Sequence, residues 1–242
     1  MKLINSVFIV LALVLLYSAI SYAQGFTPPS VILGIEGRGC FAMHDAYGTN
    51  FNELNTIGMM WGRGVEINGK LGLGVKKNHR ITLGASYDKF INSSSAAKSF
   101  FTQNPRAGEQ TNFNIWSGYL GYEYCFSARC RTKQYIGGGV SGHLINAQPG
   151  AFDFDDAYRV GFFLDGGYEL VLDPNFKTGI FIGFKYNLLN VFGTQHDTER
   201  KLNDGANTSG QTYGPDFWRR IGSLTLTLGF NFYLGTKMVK PR

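Results

Sequence analysis

The sequence is short of the features that mark a soluble enzyme. Charged residues make up only 17% of it, and it holds 7 prolines and 3 cysteines. So low a charge density is unusual for a water-exposed globular surface. A long apolar run occurs once, from Val7 to Leu16, and no later segment offers the ~20 apolar residues of a spanning helix. The first cysteine is Cys40, so a lipoprotein anchor has no attachment point behind the N-terminal segment. His44, His79 and His196 stand in expected loops or turns without metal-ligand spacing, and neither a metal nor any other cofactor is expected. Nucleic acid is not an expected partner either, because the bases are scattered and no recognition motif accompanies them.

What is abundant is glycine, 32 residues, with 20 Phe and 13 Tyr, a composition that suits tightly pleated, aromatic-rich strands. At the N-terminus Lys2 precedes the apolar run, and Ser21-Tyr22-Ala23 follows as a small-x-small cleavage pattern. Residues 1–23 therefore read as a signal peptide, with the mature chain starting at Gln24. A membrane anchor is the competing reading, and the run is short for it. The remainder reads as one domain over 24–235 and a short basic tail over 236–242.

Period-two alternation predicts eight strands near 30–41, 56–75, 80–92, 112–126, 133–145, 157–172, 178–189 and 221–235. In the last, Leu224, Leu226, Leu228, Phe230, Phe232 and Leu234 share one face, while Ser223, Thr225, Thr227, Gly229 and Asn231 share the other. These lengths exceed the ~5–6 residues of globular strands and meet the ~9–11 needed to cross a bilayer. Brief turns at 76–79, 127–132 and 173–177 alternate with long polar loops at 42–55, 93–111, 146–156 and 190–220. That alternation predicts an all-β, eight-stranded antiparallel transmembrane barrel in the bacterial outer membrane, with short periplasmic turns and long extracellular loops. Trp61, Trp116 and Trp218 fall near the long-loop side as interfacial anchors, with Tyr122, Tyr124, Phe126, Phe230 and Phe232 toward the opposite belt.

The chain resembles the small OmpA-like and OmpX-like outer-membrane barrels, especially the barrel-domain, porin-family-like proteins of Bacteroidetes-type bacteria. Thr227, Gly229, Phe232 and Leu234 match the closing-strand signal by which such barrels are recognised for insertion. The resemblance implies the outer-membrane assembly machinery as a partner during insertion and outer-membrane lipids as a permanent one. The family usually ends on an aromatic residue, whereas here a tail follows.

If lipid meets the apolar phase, Glu36, Glu66, Asp88, Glu123, Asp165 and Glu169 point inward with Arg38, Lys70, Arg159, Lys185 and His143. An eight-stranded barrel is just filled by its side chains, and uncompensated buried charge is costly. These residues are expected to form a salt-bridged plug, against the alternative of a narrow ion path. Lys76, Lys77, Arg80, Arg129, Arg131, Lys133 and Lys177, with Lys237, Lys240 and Arg242 of the tail, make the expected periplasmic rim basic. That rim either attracts anionic headgroups or is simply solvated. Cys125 and Cys130 flank Phe126-Ser127-Ala128-Arg129, a spacing that admits either a disulfide across a hairpin or two thiols.

Enzyme signals are weak. Gly137-Gly138-Gly139-Val140-Ser141-Gly142 formally matches a dinucleotide-binding loop, but Pro149-Gly150 stands where its helix should run. The segment from His143 to Gly150 resembles a degraded lipid A deacylase motif, with Ile145 where that family has its nucleophilic serine. The readings left are a structural or interaction barrel acting through its long loops, an envelope-lipid enzyme, a narrow channel, an accessory of secretion or motility machinery, and a soluble lipocalin-type barrel with its apolar face inside. The partner of the loops, extracellular or within the envelope, is not named by the sequence.

Overall fold

In this computed structural model, residues 27–47, 57–91, 111–149, 155–195, 202, 204–205 and 219–236 are described. They form eight strands: β1 (Val31–His44), β2 (Trp61–Leu73), β3 (His79–Ile91), β4 (Thr111–Cys125), β5 (Thr132–Pro149), β6 (Ala157–Val171), β7 (Thr178–Phe192) and β8 (Ile221–Leu234). Each pairs antiparallel with its sequence neighbours, and β8 returns to β1 to close the barrel. Among the described residues no helix is long and apolar enough to cross a membrane. The strands are 13 to 18 residues long, enough for a tilted strand to span hydrocarbon.

Closure follows from side-chain parity. In β8, Leu226, Leu228, Phe230, Phe232 and Leu234 stand outward, while Thr225, Thr227 and Asn231 are buried inside. β6 does the same with Tyr158, Val160, Phe162 and Leu164 outside and Arg159, Phe163 and Glu169 inside. An outward Leu228 at 65% exposure or Ile67 at 62% would be an aggregation liability in water. In hydrocarbon such residues are the wetted surface, and the soluble ligand-carrying reading, which needs the apolar phase inside, is reversed.

Short turns at one end and longer connections at the other alternate as the sequence predicts, with four differences of extent. β1 continues to His44 and β5 to Pro149, so each strand rises above its expected tip. β7 likewise runs to Phe192. β2 begins at Trp61, because Ile57 and Met59 leave the wall: their amides donate to the carbonyls of Asp45 (2.7 Å) and Ala46 (2.8 Å), and their side chains are buried. His44 and His79 are thereby strand-end residues rather than loop residues, hydrogen-bonded to Tyr186 and Tyr122.

The turn joining β6 to β7 is held by Asp173, whose Oδ1 accepts from the amides of Lys177 (2.7 Å) and Thr178 (2.8 Å). Slight burial pushes this carboxyl up, but those N–H donors outweigh it and hold it below the usual carboxylate range. The turn tucks Phe176 beneath the barrel, at a positive φ of 56°, against Ile32, Val171 and Tyr233.

Candidate functional site

The barrel interior is layered along its axis. At the long-loop end the inward positions turn apolar: Phe90, Phe113, Ile115, Ile145, Leu189 and Ile221 gather with Ile57, Met59 and Leu202 into one buried cluster. At the turn end Phe176 and its neighbours form a smaller one. Between them lie the charges.

In the upper ionic layer Glu66 accepts from Lys185 Nζ at 2.8 and 2.9 Å, and from Arg38 and the Tyr119 hydroxyl. Arg38 Nε also lies 3.1 Å from Asp88, and the Cys40 thiol donates to Asp88 at 3.3 Å. The Lys185 ammonium sits over the Tyr119 ring, 3.9 Å from its centroid, a favourable cation–π arrangement. In the lower layer two bases and two acids form a square. Lys70 bonds Glu123 at 2.7 Å and Glu169 at 3.0 Å, and Arg80 bonds the same pair at 2.6 and 2.9 Å. Tyr233 donates to Glu169 at 3.5 Å, and Lys133 lies over the Tyr233 ring.

Every sequence-predicted interior residue faces inward, although not all meet in one network. Arg38, Glu66, Asp88 and Lys185 share the upper layer, and Lys70, Glu123 and Glu169 the lower. Glu36 and Asp165 border a cavity of about 20 Å³ between the layers. Arg159 departs from the expectation. It leaves both layers for the long-loop end, where its Nε and Nη2 grip Asp204 at 2.7 and 2.6 Å. Asn190 and the Gln195 amide donate to the same carboxylate at 2.9 and 3.0 Å, so a loop residue is tied down inside the mouth beside buried Leu202.

Arg80 and Lys133 correct the sequence reading in the other direction. Placed on the rim by their nearness to the turns, both are 1% exposed and point inward. Their phase gives them away: Arg80 shares parity with Asp88, and Lys133 with His143. Asp204, Asn190 and Leu202 carry no such signal, because a loop has no period to read.

His143 lies on the inner wall between Ser117 and Ser141, at 2.8 Å from each hydroxyl, with both ring nitrogens engaged. Ile145, in the place of the deacylase serine, belongs to the apolar cluster. The glycine-rich run is wall. Gly139 faces Gly121 across β4 and β5, and the Phe163 ring covers both where side chains would have been.

Trp61 and Trp116 stand outward at 61% and 59% exposure, on the long-loop half of their strands; Trp218 lies outside the described residues. Tyr122, Phe126, Phe230 and Phe232 are exposed on the outer wall, with Tyr124 beside Phe126. In the closing strand Thr227 points inward, and Phe232 and Leu234 meet the outside. Gly229 also faces in, where an added Cβ would lie 2.7 Å from both Glu36 and Phe181. Residues 1–23, the expected signal segment, and residues 237–242 of the expected tail lie outside the described residues.

Cys125 and Cys130 are not joined by a disulfide. The ladder closes with Cys125 opposite Tyr135, and the Phe126 amide donates to Gln134, so Cys130 belongs to the turn rather than to the facing strand. Titration of the purified, unreduced protein with a thiol reagent in denaturant should find three reactive thiols per chain; finding one would restore the bridge.

No family model matches the sequence, and no curated protein matches it. Among solved structures the chain is similar to neisserial surface protein A, at 13% identity over 87% of this chain and 100% of that one, with a TM-score of 0.52. OprG, an outer membrane protein from Pseudomonas aeruginosa, aligns at 10% identity over 89% and 99% of the two chains, with a TM-score of 0.48. The fold is that of the small eight-stranded outer-membrane β-barrels, and the outward belt is a lipid-facing surface.

Proposed function

We propose that this protein is an outer-membrane resident whose sealed barrel is a scaffold for its long loops, and that it is neither a conduit nor an enzyme. The observation that carries this reading is the stacking of apolar, ionic and apolar layers inside the wall. A selective pore is lined by rings of one sign along a hydrated path. Here the acids and bases of each ionic layer are locked to one another, and two interior cavities bordering the upper layer measure about 20 Å³ each, room for about one water apiece.

The envelope-lipid enzyme reading is disfavoured by placement. His143 and its serine partners face the barrel interior rather than the lipid, and both ring nitrogens are engaged by the Ser117 and Ser141 hydroxyls in place of an orienting acid. The affiliation with OmpA-like and OmpX-like barrels, and with it recognition by the assembly machinery, is supported by the closing-strand residues Thr227, Gly229, Phe232 and Leu234. The loop partner, including any secretion or motility assembly, is best sought by affinity purification from native membranes.

Refolded into lipid, the protein should show heat-modifiable migration on gels and no stable conductance step in planar bilayers. A folded, detergent-free monomer in water would overturn the membrane assignment, and large regular openings would overturn the seal.

A further inference from the structure

In the two ionic layers inside the barrel the bases are matched by acids, but one pair of cations on the outer wall is not. Arg63 on β2 and Lys89 on β3 stand directly opposite each other, both in the outward phase, Arg63 exposed and Lys89 half-exposed. Among the described residues neither makes an ion pair. Like charges facing each other across a ladder repel, and the edge of a hydrocarbon layer strengthens that repulsion. The pair lies two residues inside Trp61 and Ile91, the last rung of this ladder on the long-loop side. With the outward Trp61 taken as the interfacial anchor, the pair lies just inside the boundary between headgroups and chains. Beside it Asn114, opposite Lys89, accepts from the Tyr87 hydroxyl at 2.8 Å, which extends a polar shelf toward β4.

Below the shelf, across β1, β2 and β3, runs an apolar groove of about 540 Å³, walled by Leu33, Ile67, Leu71 and Leu83 and floored by Gly69 and Ala85. A Cβ placed on Gly69 would meet nothing nearer than 4.0 Å. From Arg63 to Ile67, at the groove's near end beside Ala85, is ~13 Å along a strand, within reach of an acyl chain whose headgroup rests on the shelf. Two cations placed to share one anion, with a hydrocarbon slot beneath them, match a single molecule in both polarity and direction.

We propose that the outer face of β2 and β3 binds an acylated, phosphate-bearing lipid of the outer leaflet, its phosphate held between Arg63 and Lys89 and one chain running down to the near end of the groove. This rests on the outer-membrane orientation given above. Each cation near an anionic headgroup contributes ~1 kcal/mol, so losing both weakens retention about thirtyfold.

Native mass spectrometry of the mature barrel, loaded with bisphosphorylated lipid A or with its dephosphorylated form, tests this. The wild type should retain the phosphorylated lipid about thirtyfold better, and the double variant Arg63→Ala, Lys89→Ala should lose that preference while keeping its heat-modifiable gel shift. Filling the slot with Ala85→Leu should reduce retention of both forms. Equal retention of the two lipids by the wild type, undiminished retention by the double variant, or displacement of the lipid by inorganic pyrophosphate with Ala85→Leu without effect would each overturn the proposal. Failure of the wild type to insert would instead fall on the membrane assignment.

Discussion

Replacing Glu169 by glutamine should destabilise the inserted barrel by about 3–5 kcal/mol, the usual cost of stripping one partner from a buried ionic group. Glu169 is fully buried and is shared by Lys70 and Arg80. Without its charge, both bases must be satisfied by Glu123 alone, far from water. Denaturant unfolding in lipid, followed by the gel shift, measures the loss. A second substitution in the same chain, Arg80→Met, should recover much of it, because the square then holds one base and one acid; the coupling is read from the double-mutant cycle. A loss below about 1 kcal/mol, the range of exposed pairs, would mean that solvent reaches this layer.

A loss of about 3 kcal/mol is likewise expected for Gly139→Val, through sterics instead of charge. An added Cβ would stand 2.2 Å from the Leu120 carbonyl oxygen and 2.5 Å from the Gly121 Cα. Backbone in a hydrogen-bonded ladder cannot step aside, and the Phe163 ring that covers the glycine pair would be expelled from the site. Phe163 contacts Tyr119 edge-on at 5.0 Å between centroids, and Tyr119 underlies Lys185. Disturbance at Gly139 therefore reaches the upper ionic layer. The control is Gly142→Val, which points outward where a Cβ meets nothing within 4 Å and should change stability by less than about 1 kcal/mol. Equal losses at the two positions would show that the wall, not the interior, sets the cost.

The strands and their inward faces were legible because a sheet between two unlike media writes polarity into every second residue. The same rule, carried one step further, reaches Arg80 and Lys133; nearness to a turn suggested a rim address, whereas phase fixes where a side chain points. It could not anticipate that the inward phase becomes apolar at Phe90, Phe113 and Ile145, since an inward phenylalanine and a lipid-facing one are the same letter. Nor could it find Asp204. A carboxylate folded back onto Arg159 belongs to tertiary structure, and the sequence around it has the composition of any polar loop. The cysteines show a related limit: a spacing that fits a four-residue hairpin says nothing of where the ladder ends, and here Tyr135, not Cys130, meets Cys125.

The ion pairs also constrain how such a molecule can be built. Glu66 on β2 is bonded to Lys185 on β7, and Lys70 on β2 to Glu169 on β6, so these contacts straddle the junction at which the first strand receives the last. A half-zipped sheet has neither, and would carry orphaned charge on the surface that hydrocarbon is about to enclose. Insertion and seam closure are therefore expected to be coupled in this chain. Threading strands one at a time into a bilayer would maroon those ions, whereas a sheet that closes as it enters keeps each of them beside its partner.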